Sequence, residues 1–320
     1  MTVLVAANIQ DAQDAQLVNN KAVWVGGAVT GKESQLAGKS WIDVSQCPEL
    51  SVFEVLDGEI HLGASLTLSA VETSEKVQKE YPLLHQAVAH IANPQIRSQA
   101  TLAGALGQQM RCPYLKHSDY QCHTSGSGSC YAKGNEGFPF ALLNNSKCSA
   151  LGASTLGMVL LAMDAKIVIQ QSADAKETSR EWGLGQFFDV GTTYVGAHGL
   201  KRGDLITQIK IPKKRQGNKQ KYFRLSSRRM ADWAEIEIAV NAQIENGIIK
   251  WICIAAGAVA PQPLRLTELE NHFTGASVSQ MRQKEVWLKA LPRLSPLKGQ
   301  EIRATMFENS LDAVFQELFA

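Results

Sequence analysis

Four of the six cysteines fall on one stretch, Arg111–Cys148, at the spacing C-x9-C-x7-C-x17-C: Cys112, Cys122, Cys130 and Cys148. Between them lie Pro113, the run Ser125–Ser129, Gly134, Asn135, Gly137, Pro139 and Asn144-Asn145, residues that favour turns and interrupt helices and strands. A loop this long without regular structure is uncommon inside a compact domain and is usually functional. Four thiolates on it can converge on one point, and an iron–sulfur cluster needs four such soft ligands. Other chemistries stay open. Disulfides require an oxidising compartment, and Met1-Thr2-Val3-Leu4 does not lead into the basic-then-apolar pattern of a secretory leader. Structural zinc normally brings a close C-x2–4-C knuckle, which is missing. Unligated thiols prefer apolar core positions, whereas these four sit among polar turn residues. Spacing alone does not set the nuclearity of a cluster. His117, Asp119 and His123 are harder alternative ligands. Lys116, Lys133 and Lys147 read either as solvated surface lysines or as charges that tune a cluster.

The remaining chain must position this loop. It has 320 residues, enough for two or three domains with a sizeable core. A net charge of +2 gives no bulk attraction to nucleic acid or an anionic membrane surface. No run of 18 apolar residues is present, so no membrane span is expected. Cys253, inside the apolar run Ile252–Ala260, and Cys47 read as core thiols.

The first section reads as a small α/β unit. Residues 3–9 begin the fold and precede a polar, helix-compatible stretch, Gln10–Asn19, and the short buried strand Ala22–Val25. That strand runs into Gly26-Gly27-Ala28-Val29-Thr30-Gly31. Paired glycines after a strand make either a tight turn or a nest of backbone N–H groups that can hold phosphate. A strand at Trp41–Val44 and a hairpin follow, the hairpin formed by Val52–Leu56 and Glu59–Leu62 around Asp57-Gly58. Helical periodicity covers Thr67–Val77 and Pro82–Ile91, where His85 and His90 read as packing or surface residues. The proline-broken turn at Asn93-Pro94 leads into the small-residue run Ala100–Gly107, which would let a flat ligand lie against backbone. Beyond the cysteine loop come an apolar helix, Leu156–Met163, and strands at Ala165–Gln170 and Leu205–Pro212. Tyr222–Leu225, Ile236–Ile244 and Ile248–Val259 read as three strands, and stretches around 277–291 and 299–318 as helices.

The segments HIANPQIRSQATLAGALGQ (His90–Gln108), LITQIKIP (Leu205–Pro212), SSRRMADWAEIEIAV (Ser226–Val240) and AAGAVAPQPLR (Ala255–Arg265), in this order around the four-cysteine loop, carry a resemblance. The chain resembles, over nearly its whole length, the FAD-binding medium subunits of the molybdenum hydroxylase or xanthine dehydrogenase family. The cysteine loop is similar to that of the branch with an extra [4Fe-4S] cluster, which includes 4-hydroxybenzoyl-CoA reductase and periplasmic aldehyde oxidoreductase. The fold implied is α+β. A two-subdomain FAD-binding PCMH-type (vanillyl-alcohol-oxidase-like) domain would span 1–212, with subdomains at about 1–57 and 58–212 and the [4Fe-4S] loop at 111–148. A C-terminal domain, a three-stranded sheet with helices, would span 213–320.

The resemblance also implies residue roles. Cys112, Cys122, Cys130 and Cys148 would hold the [4Fe-4S] cluster. The pyrophosphate loop, typically A-G-G-T-D, corresponds to Val25-Gly26-Gly27-Ala28-Val29, with Thr30 one residue beyond. A second flavin motif, typically A-T-x-G-G-N, keeps Thr101 and Gly104. Thr155 stands where the family carries a flavin-contacting aspartate, Arg224 where it carries lysine, and Arg228 is retained. Ile96 would pack near the flavin ring. The function implied is electron transfer in an oxidoreductase whose substrate chemistry occurs on a molybdenum cofactor in a large partner subunit. Electrons would pass between [2Fe-2S] clusters of a small subunit, FAD, the [4Fe-4S] cluster and an external carrier. The altered flavin motifs motivate a second reading, an iron–sulfur structural subunit without flavin. A zinc-stabilised interaction subunit is a third. The expected location is cytoplasmic, or periplasmic by co-export with a partner.

Overall fold

The computed structural model describes residues 2–19, 21–29, 39–117, 119–122, 124, 130–134, 138–145, 147–171, 179–189, 197–213, 217–228 and 231–320. Three sheets organise them. The first is parallel and three-stranded, with Trp41–Asp43 between Val3–Val5 and Val23–Val25. The helix Ile9–Val18 packs on its central strand, started by Asn8, whose side chain accepts the Asp11 N–H at 2.8 Å.

The second sheet is antiparallel, in the order Phe53–Leu56, Glu59–Gly63, Leu205–Ile211, Lys166–Gln170, Ser179–Gly183. The hairpin turn falls at Asp57-Gly58, both with positive φ, as the sequence leads one to expect. The helical pattern at Thr67–Val77 resolves into two helices, Leu68–Glu72 and Glu75–Glu80. The break has a local cause. Ser74 turns extended, and its hydroxyl accepts the Val77 N–H at 3.3 Å, starting a new helix where the old one would have continued.

The third sheet is antiparallel, in the order Leu264–Arg265, Ile248–Gly257, Ile236–Glu245, Asn218–Leu225. The expected three strands are joined by a fourth of two residues. The pairing of Ala255 and Ala256 with Arg265 and Leu264 is short because Thr267 already opens a helix. The stretch around 277–291 divides into short turns, Val278–Met281, Lys284–Trp287 and Leu288–Ala290, while Glu301–Leu318 is one long helix.

Two large hydrophobic cores result, beside a small cluster of Met110, Cys112, Ala150 and Ala197. One fills both N-terminal sheets and the helices on them; the other lies between the third sheet and the C-terminal helices. Alternation decides which core each strand residue joins. Ile236, Ile238 and Val240 face the C-terminal helices, whereas Tyr222, Ala239 and Ala255 join the N-terminal core. The third sheet is thus covered on both faces. Against it packs Thr155–Ala162, a helix buried from Leu156 to Ala162. Cys47 and Cys253 are buried core thiols, and all six cysteines are free. No helix among the described residues is long and apolar enough to cross a membrane.

A buried guanidinium stitches the cysteine loop to the C-terminal domain. Arg303, on the long helix, donates to the carbonyls of Phe140, Glu235 (2.8 Å) and Ala258 (3.0 Å). Burial pushes its pKa down to about 10. Removing the donors strands the buried carbonyls of Phe140 and Ala258, at about 1–3 kcal/mol each, and the half-buried one of Glu235. Arg303→Met is therefore expected to lower unfolding free energy by about 3 kcal/mol or more, read from urea denaturation; an unchanged midpoint would contradict this assignment.

Candidate functional site

The glycine turn after Val23–Val25 and the small-residue run near Thr101 meet at one point. An added Cβ on Gly27 would lie 1.7 Å from the Gln99 carbonyl oxygen, and one on Gly26 would lie 3.0 Å from Cγ2 of Thr101. Backbone touches backbone here, so residue 27 has to be glycine. Ala28 follows with a φ of 54°. Among the described residues, the N–H groups of Gly26, Gly27, Ala28 and Val29 meet no acceptor. Thr101 N-caps the helix Leu102–Leu106 through Gly104 N–H at 3.2 Å. The turn Pro94–Arg97 is capped by Asn93 and pinned by Arg97, which holds Glu72 at 2.7 and 2.9 Å and the carbonyls of Ile91 and Ala92 at 3.1 Å. This fixes Ile96, 37% exposed, at the edge of an open cleft.

That cleft, about 400 Å³, gathers Val25, Gly26, Gly27, Ala28, Val29, Ile96, Thr101, Gly104, Thr155 and Arg224. Ten positions singled out from sequence therefore line one space. Arg228 does not line it; this residue is exposed on the following loop, its carbonyl accepting from Ser226. Thr30 lies outside the described residues. His90, read as a packing or surface residue, lines the cleft, its ring 5.6 Å from that of Tyr222.

The polar groups at the cleft are already engaged by protein. Thr155 Oγ1 donates to both carboxylate oxygens of Glu237 at 2.9 Å. Arg224 donates to the His90 carbonyl at 2.9 Å and to the Asp232 carbonyl. Glu237 also accepts from Tyr222 at 2.7 Å. Burial pushes the Glu237 carboxyl up, against the pull of Tyr222 and Arg224, and burial together with the carboxylate beside it holds the Tyr222 phenol well above its ordinary range. Glu237 escaped the sequence reading because Ile236-Glu237-Ile238 alternates like a strand with one wet face. The second face is covered, which alternation cannot reveal.

A second cleft of about 580 Å³ adjoins the first, sharing Trp24, Gly26, Thr101, Gly104, Gln108 and Trp233. Lys21, Lys39, Arg111, Lys116, Lys201 and Arg202 line it, with Asp204 as its acid, so its field is positive. The Asp204 carboxylate accepts the Lys201 N–H at 2.9 Å, and its carbonyl accepts from the Trp24 indole at 3.0 Å. Arg111 is held over two rings, 5.0 Å from Trp233 and 5.9 Å from Phe138. Burial draws its pKa down.

One residue on, Cys112 lines a separate small cavity with Cys122, Cys130 and Cys148. The fold thus brings all four loop cysteines to one place. Burial raises the Cys112 and Cys148 thiols, opposed by N–H groups of Leu115 and Tyr114 at Cys112, and of Ala150 at Cys148. Such donors suit a thiolate. Among the described residues no three His, Cys, Asp or Glu side chains stand close enough to hold a single metal ion. His117 and Asp119 are exposed and paired with each other at 3.7 Å, away from the cavity lining, while Lys147 joins that lining. His123 lies outside the described residues. Tyr114, Tyr120 and Tyr131 pack together beside the cavity with ring centroids 5.0–5.7 Å apart.

Comparison with known proteins bears on the flavin-motif cleft. Residues 1–214 match the family described as the FAD binding domain in molybdopterin dehydrogenase, and residues 221–318 the CO dehydrogenase flavoprotein C-terminal domain. The chain is 29% identical over 223 residues to the aldehyde oxidoreductase FAD-binding subunit PaoB of Escherichia coli, covering 68% of this chain and 67% of that one. It is 22% identical to the glyceraldehyde dehydrogenase medium chain of Sulfolobus acidocaldarius, over 80% of this chain and 73% of the relative. Among solved structures, a carbon monoxide dehydrogenase chain from Hydrogenophaga pseudoflava superposes with a TM-score of 0.73 at 19% identity, covering 100% of this chain and 97% of that one.

The contact between Gly27 and Gln99 holds the two halves of the first cleft together. Gly27→Ala is expected to cost about 1–3 kcal/mol, as overpacking does, with a matching fall in the thermal midpoint. A wild-type midpoint would show that the turn can shift freely.

Proposed function

We propose, on the premise that this chain belongs to the FAD-binding domain family of molybdopterin dehydrogenases, that it is the electron-transfer medium subunit of a molybdenum hydroxylase-type oxidoreductase. Substrate chemistry would belong to a large subunit with the molybdenum cofactor, and [2Fe-2S] clusters to a small subunit. FAD would lie in the paired clefts and a [4Fe-4S] cluster in the cysteine cavity. Bound there, the two groups would supply electron transfer between the partner subunits and an external carrier. The observation that carries this reading is the convergence of the flavin-motif positions on one cleft, joined to the four-cysteine cavity through the adjacent residues Arg111 and Cys112.

The chain's own residues supply the rest. Gly26–Val29 would hold pyrophosphate through backbone N–H groups, which do not depend on the side chains that differ from the family pattern. Lys21, Lys39, Lys201 and Arg202 add positive field to the same end. Ile96 and Trp233, exposed by 37% and 44%, offer apolar surface to a flat ring. Cys112, Cys122, Cys130 and Cys148 would ligate the cluster, with N–H groups near Cys112 and Cys148 offsetting thiolate charge.

One observation favours the alternative, a subunit with a cluster and no flavin: the hydroxyl of Thr155 and both terminal nitrogens of Arg224 already have protein partners. Flavin, iron and acid-labile sulfide in the purified complex separate the two. The expected result is about one FAD per chain and about four irons beyond those of the small subunit. Iron without flavin would leave the alternative standing; flavin without the extra iron would remove the cluster. Cys112→Ser is expected to lose the extra iron while keeping FAD.

A further inference from the structure

Glu237 stands behind the cleft rather than in it. It is 3% exposed, on a strand whose neighbours Ile236, Ile238, Ala239 and Val240 are fully buried. A carboxylate is costly to bury, and one kept in such a place needs a reason. Room for it is built in: a Cβ on Gly257, its partner in the adjacent strand, would lie 3.2 Å from Glu237 Oε2. Arg224, its partner on the other side, stands 3.9 Å away, too far for a hydrogen bond but near enough for its charge to be balanced. The remaining partners are the hydroxyls of Tyr222 and Thr155.

Two consequences reach the cleft. Thr155 has one hydroxyl proton, and that proton points at Glu237, so the cleft meets only lone pairs of Thr155. Arg224, which also lines the cleft, loses most of its net charge to the carboxylate beside it. We propose that Glu237 is a positioning residue, which fixes Thr155 as a hydrogen-bond acceptor and neutralises Arg224, so that the cleft selects a ring bearing an N–H donor and no negative charge at that edge. This rests on the flavin reading and deepens it. The pyrimidine end of an oxidised isoalloxazine has that character.

The test uses the complete complex, stripped of flavin and titrated with FAD by fluorescence quenching, and then a redox titration of the reloaded protein. Glu237→Gln, Thr155→Val and the double variant are compared. Glu237→Gln keeps the shape and frees the Thr155 proton; it is expected to weaken FAD about tenfold. It should also raise the flavin reduction potential, because Arg224 then carries an unbalanced positive charge that favours the electron-rich form. Thr155→Val is expected to weaken FAD to a similar extent without that rise. If Glu237 governs affinity through Thr155, the double variant should bind no worse than Thr155→Val alone. A purely structural role for Glu237 would lower the thermal midpoint without moving the potential. Wild-type affinity and potential in Glu237→Gln would overturn the inference and leave the flavin reading intact. Wild-type protein that takes up no FAD would overturn both. Should Glu237→Gln fail to fold, Tyr222→Phe, which removes a Glu237 partner outside the cleft lining, must still shift the potential for the inference to stand.

Discussion

The helix Thr155–Ala162 is buried around its circumference, and the arrangement of the other parts depends on that. Leu156, Met158, Val159, Leu160 and Leu161 each contribute about 1.5–3 kcal/mol by leaving water, and none can do so unless the N-terminal helices and the third sheet close on them. The N-terminal helices cover one side and the third sheet the other. Gly157 shows how tight the fit is, since a Cβ there would lie 2.4 Å from the Phe188 ring. At its N-terminus Ser154 accepts the Gly157 N–H and donates to the Ala105 carbonyl, locking the helix to the small-residue run that lines the cleft. Past its C-terminus, Asp164 holds Arg265 at 2.6 Å, and Arg265 also reaches Glu270 at 2.8 Å, so this end is tied to the C-terminal domain. The cleft is what the packing leaves open where Thr155 emerges.

Polar groups trapped by this packing define the site's character. Arg303 reaches three backbone carbonyls and fixes where the cysteine loop returns at Phe140. Arg111 lies over Trp233 and Phe138, between the positive cleft and the thiol cavity. In the proposed reading these two guanidiniums set the geometry that holds two redox groups near each other, while the carboxylate of Glu237 balances the third, Arg224. Burial makes each of these charges a strong local influence.

Sequence made much of this legible, and the failures have physical causes. The hairpin at Asp57-Gly58 and the strands Ile236–Glu245 and Ile248–Gly257 follow from turn chemistry and apolar runs. The glycine pair could be located, but its necessity could not, because the Gln99 carbonyl that excludes a side chain at residue 27 is distant in sequence. Cysteine spacing left convergence open; only the folded loop brings the four thiols to one cavity. The helix at Thr67–Val77 read as continuous because periodicity does not see Ser74 competing for the backbone. Glu237 was hidden by a sheet covered on both faces, and Arg111 by its place at the start of a loop read for its cysteines.

In the proposed reading, one chain holds a flavin cleft and a thiol-lined cluster cavity side by side. Diffraction from crystals of the purified complex, measured on both sides of the iron absorption edge, tests it directly. The expected result is an anomalous peak of a multi-iron centre enclosed by Cys112, Cys122, Cys130 and Cys148, and flavin density running from Gly26–Val29 towards Thr155. Iron absent from that cavity, or a cleft filled by protein side chains in place of flavin, would contradict it.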